Sequence, residues 1–132
     1  MNTQSIAKIL GESGCYFISL LKIVNLNDDA IKLYRQSVEL GIIDADCYVK
    51  DPAQLLCLIT DWRHWEVRHE SASYQTKPFE YEILRFERKT STRTYSHFVV
   101  GDGHGHVLYD PLDDSNTVKF GQVVSKRIVR KV

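Results

Sequence analysis

The spacing of apolar residues changes near residue 62 and divides the chain into a helical half and a strand-rich half. In residues 1–61 the apolar positions recur with the period of a helix, which predicts helices before any clear strand. Three are expected: one over 14–24, one capped by Asn27 and ended by Gly41, and a short one that starts at Asp51-Pro52 and runs through Ile59. Residues 2–10 are a candidate for a further short helix.

The helix expected over 14–24 is apolar on most of its surface. Only the stripe formed by Cys15, Ser19 and Lys22 lacks large apolar groups, so this helix is expected to be buried on most sides. Ser13 is its expected N-cap. Cys15 is therefore predicted to lie in the first turn of a central helix.

From Trp62 onward the chain has the alternating or β-rich pattern that is typical of strands. Five strands are expected, at about 63–69, 79–87, 94–101, 106–110 and 123–131. Short connections favour an antiparallel sheet, and the two glycines of Asp102-Gly103-His104-Gly105 predict a tight hairpin. The sequence predicts one α+β domain over residues 1–132, with a helical half, 1–61, and a half of about five antiparallel strands, 62–132.

Composition and charge narrow the functional classes. A chain of 132 residues with 43% hydrophobic residues suits one ordered domain. Lys plus Arg and Asp plus Glu both total 17, so the formal net charge is zero, which argues against nucleic acid or an anionic membrane as a partner. No leader-like N-terminus and no apolar run of ~20 residues are present, so a cytoplasmic protein without a membrane span is expected.

The cysteines do not form a recognisable framework. Cys15, Cys47 and Cys57 are odd in number, and their spacing fits neither a set of disulfides nor a zinc motif. Cys47 and Cys57 are expected to be buried structural thiols. The pair His104 and His106 has no third ligand at a useful spacing, so no metal and no cofactor is expected.

Three residues have the chemistry of a nucleophile with an oriented base. A helix N-terminus stabilises a thiolate at Cys15, an imidazole beside it would complete an ion pair, and a carboxylate would orient that imidazole. His97 and Asp110 each lie six or seven positions from the centre of the expected hairpin. They are therefore expected to be near neighbours, at the ~4.5 to 5.5 Å spacing of paired positions.

The motifs that contain these residues resemble a known family. Gly14-Cys15-Tyr16-Phe17-Ile18-Ser19-Leu20-Leu21, His97-Phe98-Val99-Val100-Gly101 and Tyr109-Asp110-Pro111 are similar to motifs of the papain-like cysteine peptidases, and within them of the C39-like group and of small bacterial and phage domains of that clan. The resemblance covers nearly the whole chain. It implies a papain-like fold in which a buried, Cys-bearing helix packs on a C-terminal antiparallel sheet.

The resemblance also implies a reaction. Cys15 would be the nucleophile, His97 the general base and then acid, and Asp110 the orienting residue of a cysteine peptidase or amidase. Such a thiol hydrolase would act on an amide of a peptide or of peptidoglycan through an acyl-thioester. Trp62 and Trp65 are candidates for lining its substrate groove, although two tryptophans at a helix-to-strand junction more often serve packing.

A second function remains open from the sequence. Ile9 occupies the position at which this family usually carries the glutamine of the oxyanion hole, and loss of such a donor costs ~10² to 10³ in rate. The alternative is a catalytically inactive papain-like domain that binds a protein partner through the former substrate groove.

Overall fold

A computed structural model describes residues 12–24, 30–43, 48–112 and 115–132 of the chain. In chain order its elements are α1 (Glu12–Ile23), α2 (Ala30–Glu39), α3 (Pro52–Ile59), β1 (Trp65–Ser71), β2 (Tyr81–Lys89), β3 (Thr94–Gly101), β4 (Val107–Tyr109), α4 (Asn116–Phe120) and β5 (Gln122–Lys131). The candidate helix over 2–10, Ile9 and Cys47 lie outside the described residues.

The strands form one sheet, and all of its pairings are antiparallel. The strand order is β1-β5-β2-β3-β4, so β5 returns to pair between β1 and β2. The prediction of an α+β chain with about five antiparallel strands is confirmed, and most strand ends lie within about two residues of the expected ones.

The helices follow the local signals of the sequence with one difference. Asp51 caps α3, since its side chain accepts a hydrogen bond from the amide of Gln54 at 3.0 Å. α1 begins at Glu12, so Ser13 belongs to the helix and the N-cap prediction for Ser13 is wrong. Cys15 is the fourth residue of α1, at the end of its first turn.

The two faces of the sheet carry different clusters, because successive side chains of a strand point to opposite sides. Ile83, Phe98 and Val129 pack with residues of α1 in the main core, and we call their side of the sheet the helical face. Leu84 and Val99 belong to a smaller cluster on the opposite face, which the short helix α4 covers.

The helix α4 was not expected from the sequence. It is only five residues long, too short to show helical periodicity. Ser115 caps it by accepting a hydrogen bond from the amide of Thr117 at 3.1 Å. None of the helices in the described part of the chain is long and apolar enough to cross a bilayer.

Candidate active site

The side chains of His97 and Asp110 are in direct contact. The distance from His97 Nε2 to Asp110 Oδ1 is 2.6 Å, and the two side chains are only 3% and 7% exposed. His97 lies in β3, and Asp110 follows directly after β4. The structure therefore brings together two of the three residues that the sequence suggested.

Asp110 is held as a carboxylate by several donors. Its Oδ1 also accepts a hydrogen bond from the amide of Leu112 at 2.9 Å, and its Oδ2 accepts one from the amide of Ser115 at 3.2 Å. Burial raises the pKa of this carboxyl, but the hydrogen bonds from His97 and from the two amides outweigh burial, so the net shift of the pKa is downward.

The charge of Asp110 decides the tautomer of His97. A carboxylate can only accept hydrogen bonds, so Nε2 of His97 must carry the proton that joins the pair. In the neutral ring Nδ1 is then the unprotonated nitrogen. His97 is thus prepared to accept a proton at Nδ1.

The register of the hairpin differs from the expected one. β4 pairs with β3 only at Val100 and Gly101, which lie opposite Tyr109 and Val107, and the register shifts between the two pairs. His97 and Asp110 are therefore diagonal neighbours and not directly opposite. Their side chains still meet, since diagonal neighbours are within reach of an aromatic side chain.

Cys15 lies in α1, which packs directly against β3. Its side chain is 1% exposed and belongs to the main core. The next residue, Tyr16, stacks on Phe98, the residue after His97, with ring centroids 4.8 Å apart. This contact brings the segments that carry Cys15 and His97 together.

Although the two segments are in contact, strand alternation directs the side chains of Cys15 and His97 to different faces of the sheet. Phe98 belongs to the helical face with Cys15, whereas His97 lies opposite Phe86, on the other face. In the described part of the chain, β4 leaves the stretch of β3 before Val100 unpaired on one side. Because the two side chains lie on opposite faces, Cys15 and His97 can contact each other only past this unpaired edge of β3.

The two tryptophans lie at the other end of α1. Trp62 and Trp65 line a cavity of about 520 Å³ together with Ile23, and the Nζ of Lys131 is 5.4 and 5.7 Å from their ring centroids. Ile23 is eight residues beyond Cys15, or ~12 Å along the helix axis. The structure does not place the tryptophans beside Cys15.

The hairpin histidines and Cys57 have ordinary structural surroundings. The Asp102 carboxylate accepts hydrogen bonds from the amides of His104 and His106, at 2.8 and 3.2 Å, and so shapes the hairpin tip. Within the described residues, no group of three or more His, Cys, Asp or Glu side chains could hold a metal ion. Cys57 donates a hydrogen bond to the carbonyl of Arg63 at 3.2 Å and is partly exposed, so its expected burial is wrong.

A group of cationic side chains beside Tyr16 and Phe98 was missed by the sequence reasoning. Arg85 and Arg127 point from β2 and β5 onto the helical face and line a groove there. Both residues occupy inward-facing positions of the period-two pattern, beside Ile83 and Val129. Charged residues at positions where the pattern predicts apolar ones were the signal in the sequence that could have revealed this group.

A family model described as "Protein of unknown function, DUF261" matches this chain over residues 2–131. No curated protein and no solved structure gives a significant match. The match covers almost the full length of the chain and includes α1, the sheet and the His97–Asp110 pair. The chain belongs to the DUF261 family.

Proposed function

We propose that this protein is a thiol hydrolase that cleaves an amide of a peptide or of peptidoglycan, with Cys15 as nucleophile. The observation that carries the proposal is the 2.6 Å contact between His97 Nε2 and Asp110, which fixes a buried imidazole with its basic nitrogen, Nδ1, directed away from the carboxylate. Such an oriented base is what a cysteine nucleophile requires.

The proposed reaction has two stages. His97 accepts the thiol proton of Cys15 at Nδ1, the sulfur attacks the amide carbonyl, and the C–N bond breaks as His97 returns the proton to the leaving amine. Water then attacks the acyl-thioester, His97 accepts a proton from it, and the thiolate leaves and is reprotonated. Asp110 stabilises the charged imidazolium in both stages.

A papain-like arrangement belongs to the same proposal. Its support is the order of the elements, with a buried Cys-bearing helix that packs on an antiparallel sheet carrying the His97–Asp110 pair. A cytoplasmic location and a peptide or protein substrate are further parts of it. The proposed chemistry needs no metal or cofactor.

Alkylation by iodoacetamide at pH 6 tests the proposal. At this pH an ordinary thiol, with a pKa near ~8.5, is almost fully protonated, whereas a thiol paired with an imidazole is a thiolate. Mapping of the alkylated peptides by mass spectrometry is expected to show that Cys15 reacts faster than Cys57, and that His97→Gln removes the difference. Cys57 serves as the internal control, and equal or slower labelling of Cys15 would contradict the proposal.

A second function is favoured by the burial of Cys15 and by the alternation that turns His97 to the opposite face. In this case the His97–Asp110 pair only ties β3 to the segment after β4, and the protein is a binding domain. A Cys15→Ala variant would then keep its full biological activity. The activity of the Cys15→Ala variant therefore distinguishes the two functions.

A further inference from the structure

A cavity of about 520 Å³ lies where the C-terminal ends of α1 and α3 meet the sheet. Ile23 and Ile59, the last residues of these two helices, line its aliphatic part. Trp62, Trp65 and Tyr81 add three aromatic rings, and we call this space the tryptophan cavity. Its volume lies in the ~300 to 1,000 Å³ range of sites that hold small ligands. The proposed hydrolysis makes no use of this cavity.

Strand register explains why the side chains of the tryptophan cavity converge. Trp65 of β1 lies opposite Lys131 of β5, and Tyr81 of β2 lies opposite Val129, two residues earlier in β5. Residues two apart in a strand point to the same face of the sheet, and Val129 belongs to the main core on the helical face. The sheet therefore brings Trp65, Tyr81 and Lys131 together at one end of the helical face.

Hydrogen bonds orient both indole rings and use their only donors. Trp62 Nε1 donates to the carbonyl of His64 at 2.9 Å, and Trp65 Nε1 donates to Thr60 Oγ1 at 3.0 Å. The hydroxyl of Thr60 is itself fixed, because it donates to the carbonyl of Leu56 at 2.6 Å. An indole has no other polar group, so these rings can contact a ligand only through their apolar surfaces. Trp62 is still 42% exposed and is available for such a contact.

Three polar side chains complete the lining of the cavity: Asp61, Tyr81 and Lys131. None of them has a hydrogen-bond partner among the residues that the structure describes. A carboxylate accepts hydrogen bonds, an ammonium donates them, and a phenol does both. Together these groups can satisfy a ligand whose hydroxyl groups both donate and accept.

The charges around the cavity favour a neutral ligand. The Nζ of Lys131 lies 5.4 Å from the ring centroid of Trp62 and 5.7 Å from that of Trp65, so a second cation on these rings would be repelled. An anion that approached Lys131 would lie against the negative faces of the rings and share the cavity with the Asp61 carboxylate. A wholly apolar ligand would bury these charged groups without hydrogen bonds.

We infer that the tryptophan cavity binds a neutral sugar ring of a glycan. A pyranose has one surface of C–H bonds, whose partial positive charge suits the negative face of an aromatic ring. Its edge carries hydroxyl groups that donate and accept hydrogen bonds. The sugar stacks on Trp62, and its hydroxyl groups bind Asp61, Tyr81 and Lys131.

The cavity is separate from the proposed catalytic residues but lies on the same helix. Ile23, at its edge, is eight residues beyond Cys15, or ~12 Å along the axis of α1. A ligand with a sugar part and a peptide part can therefore occupy both places at once. That the bound glycan belongs to the cleaved substrate, which would then be peptidoglycan, rests on the proposed function.

Isothermal titration calorimetry of the full-length protein tests the inference. The probes are neutral trimers of N-acetylglucosamine and of glucose, a lysine amide as cation and a proline-rich peptide. At least one trimer is expected to bind, with a Kd that changes less than about twofold between about 50 and 500 mM NaCl, because a neutral ligand is not screened by salt. Failure of both trimers to bind, or tighter binding of the cation or of the proline-rich peptide, would overturn the inference.

Substitutions locate the binding. Trp62→Ala is expected to weaken binding of the trimer at least about tenfold, whereas Trp62→Phe keeps an aromatic face and most of the affinity. Phe120→Ala is the matched control, since Phe120 is an exposed aromatic residue in α4 and outside the cavity. Thermal unfolding checks that each variant is folded, and Lys131→Gln provides a second variant if Trp62→Ala is not. Unchanged binding by a folded cavity variant, or an equal loss in Phe120→Ala, would contradict the assignment.

The outcomes separate this inference from the proposed function. If a trimer binds at Trp62 but the wild-type protein forms no acyl-enzyme on Cys15, the glycan site stands and the hydrolase fails. If the wild-type protein is acylated on Cys15 but no trimer binds, the hydrolase stands and the glycan inference fails.

Discussion

The buried side chain of Asp110 connects several parts of this molecule by hydrogen bonds. Its carboxylate receives hydrogen bonds from His97 in β3 and from the amides of Leu112 and Ser115, which lead into α4. Each of these bonds is stronger because the acceptor is charged. The residue therefore serves the fold whether or not His97 acts as a base.

Replacement of Asp110 by Asn is expected to destabilise the protein in a pH-dependent way. Hydrogen bonds to a charged group contribute ~1.5 to 3 kcal/mol each, so a loss of about 2 kcal/mol is expected near neutral pH. The folded-state pKa of Asp110 is lowered, so its stabilisation is present above the ordinary value of 3.8 and is lost as the pH falls below it.

Urea unfolding of wild type and Asp110→Asn at several pH values measures this effect. The difference in unfolding free energy is expected to shrink below pH 3.8. The exposed Asp61→Asn provides the control and is expected to change little. A difference that is the same at every pH would show that the charge of Asp110 is not responsible.

At the scale of elements, the hairpin of β3 and β4 is fixed from β2 by the buried Glu82. Its Oε2 accepts hydrogen bonds from the amides of Gly103 and Gly105, both at 2.9 Å. Its Oε1 accepts one from Lys126 at 3.0 Å. A Cβ at Gly101 would collide with the same carboxylate, so only glycine fits beside it. Through this hairpin Glu82 also positions Asp110.

Glu82→Gln is expected to destabilise the protein by about 3 kcal/mol, because it leaves the Lys126 ammonium buried without its charged partner. Gln also has only one acceptor oxygen, whereas both carboxylate oxygens of Glu82 accept hydrogen bonds. Amide hydrogen exchange at Gly103 and Gly105 is expected to accelerate more than exchange in α3. The exposed Glu39→Gln is the control, and unchanged exchange at the hairpin would contradict this account.

At the scale of the whole molecule, the sequence predicted the architecture better than the site. The five strands were predictable because alternation and turn residues are local signals, and so was the cap at Asp51. The five-residue α4 has no periodicity to detect. The pattern predicted the number of strands and their antiparallel pairing, but not their order in the sheet.

The details of the site depend on register, which the sequence does not specify. The contact of His97 with Asp110 was predictable from the distances to the hairpin, but the shift beside Val100 was not. The same limit applies to the contact between Cys15 and His97, because the alternation of side chains along β3 decides on which face of the sheet His97 lies. Arg127 and Arg85 likewise share one face as diagonal neighbours because the strand order places β5 beside β2.

The proposed reaction passes through an acyl-thioester on Cys15, which intact-protein mass spectrometry after rapid acid quenching can detect. Wild-type protein mixed with an activated ester of a peptide is expected to gain the acyl mass on Cys15. The adduct should be absent from Cys15→Ala and should form more slowly in His97→Gln. An adduct that maps elsewhere, or that forms equally fast without His97, would contradict the account.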